Sequence, residues 1–141
     1  MKLVLDTGVL ISALIRESSS HREILLLPIL DFLLPEYALE EITRHKKKIA
    51  AFSGINNTEV DIALALLMER VNIVPSAIIR PHLKKAAGLI GHRDSKDIPF
   101  VALALAIEND GLWTNDKDFG EIKGIRIWST GSLLSFLSSI E

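Results

Sequence analysis

Four carboxylates sit where a chain could do phosphate chemistry. Asp6 closes the apolar run Leu3-Val4-Leu5 and precedes Thr7-Gly8. Glu41 follows Glu40 inside a helical stretch. Asp97 opens the apolar segment Ile98-Pro99-Phe100-Val101-Ala102-Leu103-Ala104, and Asp116 follows Leu112-Trp113-Thr114-Asn115. Gathered in one cleft, such acids repel one another and destabilise the fold unless something neutralises them. Hard divalent cations prefer oxygen ligands, and Mg²⁺ is commonly held by a few carboxylates together with waters and substrate phosphates. An acidic pocket that holds a cation can attract and activate a phosphodiester that the bare pocket would repel. Each acid also has an ordinary explanation. Asp6 and Asp116 suit caps, Asp97 suits the positive end of a helix, and Glu41 suits a boundary position from which it reaches water. The coincidence of all four carries the functional reading.

Helical geometry separates the two adjacent glutamates. At about 100° per residue, Ala38, Ile42, His45 and Ile49 define the inward face. Glu40 points away, within reach of Arg44 four residues on, whereas Glu41 falls at the rim of that face, about 80° from its centre. Asp94 and Asp118 stand close to Asp97 and Asp116 and are further metal-ligand candidates. Thr7 and Asn115 could hydrogen-bond the ligands or substrate phosphates, although turn formation explains Asn115 equally well. Arg44, Lys46, Lys47 and Lys48 form one basic run, and Lys84, Lys85, His92, Arg93 and Lys96 a looser one. Either could meet phosphates, and a solvated helix face is the expectation for Lys46–Lys48. His21, His45, His82 and His92 show no zinc-like pairing and are expected at the surface or its boundary. Trp113 and Trp128 are expected in the core. The apolar residues at 24–30 could supply a dimer surface or ordinary core.

The elements that must position these groups alternate between short apolar strands and helices. Strands are expected at 2–5, 32–34, 72–74, 111–114 and 125–128. Helices are expected at 9–16, 21–27, 35–48, 59–70, 81–90, 99–108 and 130–140, the last with Thr130 as its N-cap. This alternation predicts an α/β fold, a mostly parallel sheet with helices on both faces. The segment 99–107 is apolar all round, so its helix should be central and covered. Ligands of such sheets bind beyond the carboxyl ends of the strands, where Asp6 and Asp116 fall.

Size and composition set the outer bounds. The chain has 141 residues, and a single domain spanning 1–141 is expected. Hydrophobic residues make up 48%, enough for a full core. There is no cysteine, which removes disulfides, thiolate zinc sites and a cysteine nucleophile. No apolar run reaches the ~20 residues of a membrane span, and the start lacks the pattern of a signal peptide. A cytoplasmic protein without a membrane partner is the expectation. The net charge of −2 argues against a histone-like binder held by bulk electrostatics, but not against a nuclease with local basic patches.

The acidic segments, in order, resemble the motifs of the PIN-domain family, a fold shared with toxin-type ribonucleases of toxin–antitoxin pairs. Leu3-Val4-Leu5-Asp6-Thr7-Gly8 resembles the first motif, and Leu39-Glu40-Glu41-Ile42 the segment with the acidic helix residue, Glu41 being the better match. Asp97-Ile98-Pro99-Phe100-Val101-Ala102 resembles the third motif and Thr114-Asn115-Asp116-Lys117-Asp118-Phe119 the fourth. The resemblance covers about residues 2–128. It implies a three-layer α/β sandwich with a five-stranded, mostly parallel sheet and a catalytic, metal-holding set of Asp6, Glu41, Asp97 and Asp116. It further implies Mg²⁺ or Mn²⁺, cleavage of single-stranded RNA, a homodimer, and an antitoxin partner. On that reading Glu41 or Asp97 orients the attacking water, and in-line displacement of the 3′ oxygen leaves a 5′ phosphate.

Other functions fit less well. A haloacid-dehalogenase-like phosphatase needs a second Asp two residues after the first, where this chain has Gly8. The glycine-rich lysine motif of P-loop enzymes is missing, and no GxGxxG follows the first strand. A PIN-fold RNA-binding or scaffold protein without activity is the remaining alternative, and the complete acidic set argues against it.

Overall fold

The computed structural model describes residues 1–15, 20–91 and 95–140. Five short strands form its centre: β1 (Lys2–Leu5), β2 (Asp31–Pro35), β3 (Val71–Val74), β4 (Leu112–Trp113) and β5 (Ile127–Trp128). They lie in the order β3-β2-β1-β4-β5, and every pairing is parallel. Leu3, Val4, Leu5, Phe32, Leu34, Leu112 and Trp113 are fully buried, as near-continuous apolar runs should be in a sheet covered on both sides. The helices are α1 (Thr7–Ile15), α2 (Ser20–Leu25), α3 (Glu36–Ser53), α4 (Asn57–Met68), α5 (Ser76–Ile79), α6 (Leu83–Ile90), α7 (Ile98–Ala106) and α8 (Thr130–Ser139). The fold class is the expected α/β sandwich.

Strand order reverses beside β1. From β1 the chain moves outward through β2 and β3, then crosses back to β4 on the other side. The crevice beyond the ends of β1 and β4 is therefore the topological switch point, the place where such sheets bind ligands. Asp6 and Asp116 follow those two strands. Helix α7 packs against β1, β2, β4 and α6, and Phe100, Val101, Ala102 and Leu103 are buried. Its apolar sequence reflects this central place, and it presents Asp97, at its entrance, to the crevice.

Several boundaries differ from the sequence expectation. Helix α3 continues to Ser53 because Ile49 keeps its buried stripe, and Gly54 stops it at φ 74° with its N–H on the Ala50 carbonyl. Only a left-handed residue closes a helix in that way, which is why the stop falls on glycine. Helix α4 starts two residues early, since the Asn56 side chain accepts the Glu59 N–H. It ends at Met68, and the Arg70 guanidinium turns instead to the carbonyls of Leu25, Leu27 and Leu30. The helical turn α5 was not expected. The Glu36 carboxylate accepts both the N–H and the hydroxyl of Ser76, which fixes its start. Ser129, not Thr130, caps α8, through a reciprocal box with Ser132. Strands β4 and β5 are two residues long. At the foot of β4, Gly111 adopts φ 133°, and a Cβ there would lie 2.5 Å from the Arg126 carbonyl oxygen.

Trp113 and Trp128 are buried, as expected, and within 24–30 the side chains of Ile24, Leu25 and Leu30 belong to the core while Leu26 and Ile29 are exposed. The candidate Asp94, together with His92 and Arg93, lies outside the described residues, as do Arg16 and Glu17–Ser19. Among the described residues no helix is long and apolar enough to cross a membrane.

Candidate functional site

Strand, helix and turn ends meet in a cavity of about 450 Å³ at the switch point, lined by Asp6, Glu41, Asp97 and Asp116 together with Thr7, Asn115, His45 and Lys96. Four carboxylates from four separate segments thus share one space. Glu40, one residue from Glu41, is exposed and does not line it. Among the described residues it forms no ion pair with Arg44, and on the same helix Lys46 pairs with Asp61 at 2.5 Å.

The buried polar side chains among the described residues are Thr7, Asp97 and Thr114, and all three serve this cavity. Thr7 opens α1 and donates its hydroxyl to Glu41 Oε1 at 3.0 Å, which ties α1 to α3. Thr114 continues from β4. Its hydroxyl donates to Asp6 Oδ2 at 2.7 Å and accepts the Asp116 N–H at 3.0 Å, so one buried oxygen fixes the acids that follow β1 and β4 relative to each other. Asp97 is 8% exposed and makes no side-chain cap to α7, so capping does not explain it.

For Asp6 and Asp116 the bland and the chemical placements coincide. Asp6 accepts the Gly8 N–H in the first turn of α1. Asp116 Oδ1 accepts the Asp118 N–H at 2.9 Å and caps the short turn Lys117–Phe119. A cap fixes where a carboxylate points, and each carboxylate oxygen still has a further lone pair that can face the cavity. Asp118 is exposed and does not line the cavity. It supports Asp116 through its backbone and is not brought to the acidic set.

Electrostatics reports the crowding. Burial pushes the Asp6 carboxyl above its ordinary value of 3.8, hydrogen bonds from Thr114 and Gly8 pull it back, and the charges of Asp116 and Glu41 push it up further. A low-dielectric surround strengthens such repulsion. The arrangement therefore holds negative charge against a gradient, which a cation would relieve.

Among the described residues no three acidic or histidine side chains already stand in a ready-made metal cage. The donor set still fits a hard cation. It consists of carboxylate oxygens around a cavity roomy enough for waters, and Mg²⁺ usually keeps several waters while taking only one or two carboxylates directly. The same set fits a soft metal poorly, since the chain has no thiolate.

Two groups near the site carried no sequence signal as partners. Thr114 sits two residues before Asp116 in an ordinary strand-end position, and only the sheet brings it to Asp6. His21, expected at the surface, stacks on Trp113 with a 5.9 Å ring separation, its Nε2 lying 2.8 Å from Asn115 Nδ2. Asn115 in turn donates to Thr130 Oγ1 and accepts the Thr130 N–H. Asn115 therefore joins the end of β4 to the start of α8 beside the cavity, which is a structural use of the side chain as much as a functional one.

Comparison with known proteins finds a family match and structural neighbours. A family model described as the PIN domain matches residues 4–138. Among solved structures, the chain is similar to one in the crystal structure of VapBC2 from Rickettsia felis bound to a DNA fragment from their promoter, with a TM-score of 0.68 and 17% identity, over 92% of this chain and 98% of that one. No curated protein matches it in sequence.

Proposed function

The chain belongs to the PIN-domain family, and from that premise and the geometry of the acidic cavity we propose that it is a divalent-metal-dependent endoribonuclease. The substrate on this reading is single-stranded RNA, the cofactor Mg²⁺ or Mn²⁺, and the holding and catalytic set Asp6, Glu41, Asp97 and Asp116. The observation that supports it best is the shared cavity, in which Asp6 is held against the charges of Asp116 and Glu41. A fold gains no stability from such crowding, so the cluster calls for a cationic ligand.

Bound there, a divalent cation supplies charge neutralisation and Lewis acidity toward a phosphate oxygen and an attacking water. The protein's own groups do the rest. Thr114 fixes the spacing of Asp6 and Asp116, and Asn115 anchors the segment that carries Asp116. Glu41 is the favoured proton acceptor. Thr7 holds its Oε1, and the half-buried carboxylate keeps Oε2 for the proton of the attacking water. Asp97, buried at the head of α7, orients that water. In-line attack expels the 3′ oxygen and leaves a 5′ phosphate.

A toxin role with a protein antitoxin, a homodimer and a cytoplasmic location belong to the same proposal. The similar chain sits in a VapBC2 complex with DNA, and the exposed Phe52, Ile62 and Leu66 leave apolar surface on α3 and α4 for a partner.

The test is cleavage of an unstructured RNA pool by purified protein. Cleavage that needs Mg²⁺ or Mn²⁺, stops with chelator and is lost in Asp6→Asn supports the proposal. Robust cleavage by Asp6→Asn, or none by the parent with either metal, refutes it.

A further inference from the structure

An acidic cavity that must hold a polyanion needs positive groups beside the acids as well as a cation among them. A bound cation compensates the floor, while the phosphates on either side of the reacting bond lie beyond it and need donors of their own. Among the described residues, two side chains lining this cavity can carry positive charge, His45 and Lys96. They come from different elements of the fold. His45 follows Glu41 by four residues on α3, one helical turn along the same face. Lys96 precedes Asp97 in the turn Ser95–Asp97 at the head of α7. Both are exposed, whereas the acid beside each is more buried: Glu41 is half-buried and Asp97 buried.

We infer that His45 and Lys96 are phosphate-contacting residues that take the backbone of a single-stranded polynucleotide on the two sides of the scissile bond. The inference rests on the ribonuclease reading of the same cavity and specifies how the strand crosses it. Lys96 contributes an ammonium point charge, and His45 an imidazole N–H donor. Neither contact reads a base, so the pair fixes register without sequence preference. The neighbouring Lys46, one residue from His45, is excluded by direction. It faces α4, where it pairs with Asp61.

That contrast supplies the control. His45→Ala, Lys96→Gln and Lys46→Gln are compared with the parent in Mn²⁺-dependent cleavage of a short oligouridylate. Binding of the same fluorescent oligonucleotide is followed by anisotropy across a salt series in an Asp6→Asn background. The inference predicts that His45→Ala and Lys96→Gln each raise KM by about 3- to 10-fold with kcat within about twofold. Lys96→Gln should also lower the slope of log Kd against log salt by about 0.7, the loss of one phosphate contact to a single strand. Lys46→Gln, with the same loss of charge outside the cavity, should match the parent. Parent-like KM and salt slope in both cavity variants overturn the inference while leaving the ribonuclease reading intact, as does an equal loss in Lys46→Gln. A parent that neither binds nor cleaves the oligonucleotide refutes the ribonuclease reading and this inference with it.

Discussion

The two edges of the sheet treat their aspartates in opposite ways. At the amino edge, Asp110 is satisfied by the backbone around it. Its carboxylate accepts the Lys2 N–H at 2.8 Å, its own N–H donates to the Lys2 carbonyl, and its carbonyl accepts the Trp128 indole N–H. Asn109 and Gly111 complete that edge, with Asn109 taking carbonyls at the end of α7 and the Gly111 N–H. At the carboxyl edge, Asp6 receives hydrogen bonds from Thr114 and Gly8 and remains above its ordinary pKa, because burial and two neighbouring carboxylates outweigh them. The first edge spends its acid on the fold. The second accumulates acids beyond what the fold needs, an excess that the proposed cation would offset.

The largest effect that would sharpen this contrast is on turnover. Asp97→Asn should lower RNA cleavage by about three orders of magnitude, the scale of losing a group that acts in the transition state, with little change in thermal stability. Kinetics and a melting curve on one preparation check both halves. Next in size is Gly111→Ala at the amino edge. The new Cβ would meet the Arg126 carbonyl at 2.5 Å in a backbone region that side chains rarely adopt, so a loss of about 3 kcal/mol is expected from strain and overpacking. Denaturant unfolding measures it, and cleavage per folded molecule should not change.

Thr114→Val tests the link between stability and positioning. It removes the donor to Asp6 and orphans the Asp116 N–H, which should cost about 1–3 kcal/mol of stability and about 10- to 100-fold in turnover. Thr114→Ser should restore both. A valine variant with full activity would show that the spacing of Asp6 and Asp116 is not set by this hydroxyl.

The smallest effect is on stability, and it differs between variants of the two edges. The folded Asp6 carboxyl lies above 3.8, so between 3.8 and its raised value the folded state keeps a proton that the unfolded chain has released. Stability contributed by this group is therefore fully present below 3.8 and falls as pH rises through the folded value. In metal-free buffer, Asp6→Asn should remove that fall and melt no lower than the parent at neutral pH. Asp110→Ala should melt lower, by about 1 kcal/mol for one lost hydrogen bond. Equal losses in both variants would erase the distinction between the edges.

The sequence shows the fold class well because its strands are unbroken apolar runs and its central helix is apolar all round, patterns that burial alone can produce. Asp6, Glu41, Asp97 and Asp116 were legible because each abuts such a pattern, and the 100° helical step separates Glu41 from Glu40. Helix ends were less legible. The extension of α3 to Ser53 depends on Gly54 being left-handed, and the early end of α4 on Arg70 finding carbonyls about forty residues away in sequence. Thr114 was illegible as a partner of Asp6 because nothing short of the β1–β4 pairing brings them together. Asp118 looked equivalent to Asp116 in the sequence, and its exposure follows from the turn that Asp116 itself caps.

The central claim is that Asp6, Glu41, Asp97 and Asp116 share one cation. Its most direct test is a Mn²⁺ titration followed by thermal unfolding, with each carboxylate changed in turn to its amide. Binding to the folded state raises stability in proportion to occupancy. The account predicts saturable stabilisation of the parent and a weakened midpoint in all four variants, with Glu40→Gln and Asp118→Asn behaving as the parent does. A parent that Mn²⁺ does not stabilise, or four variants that keep the parent's midpoint, would contradict it.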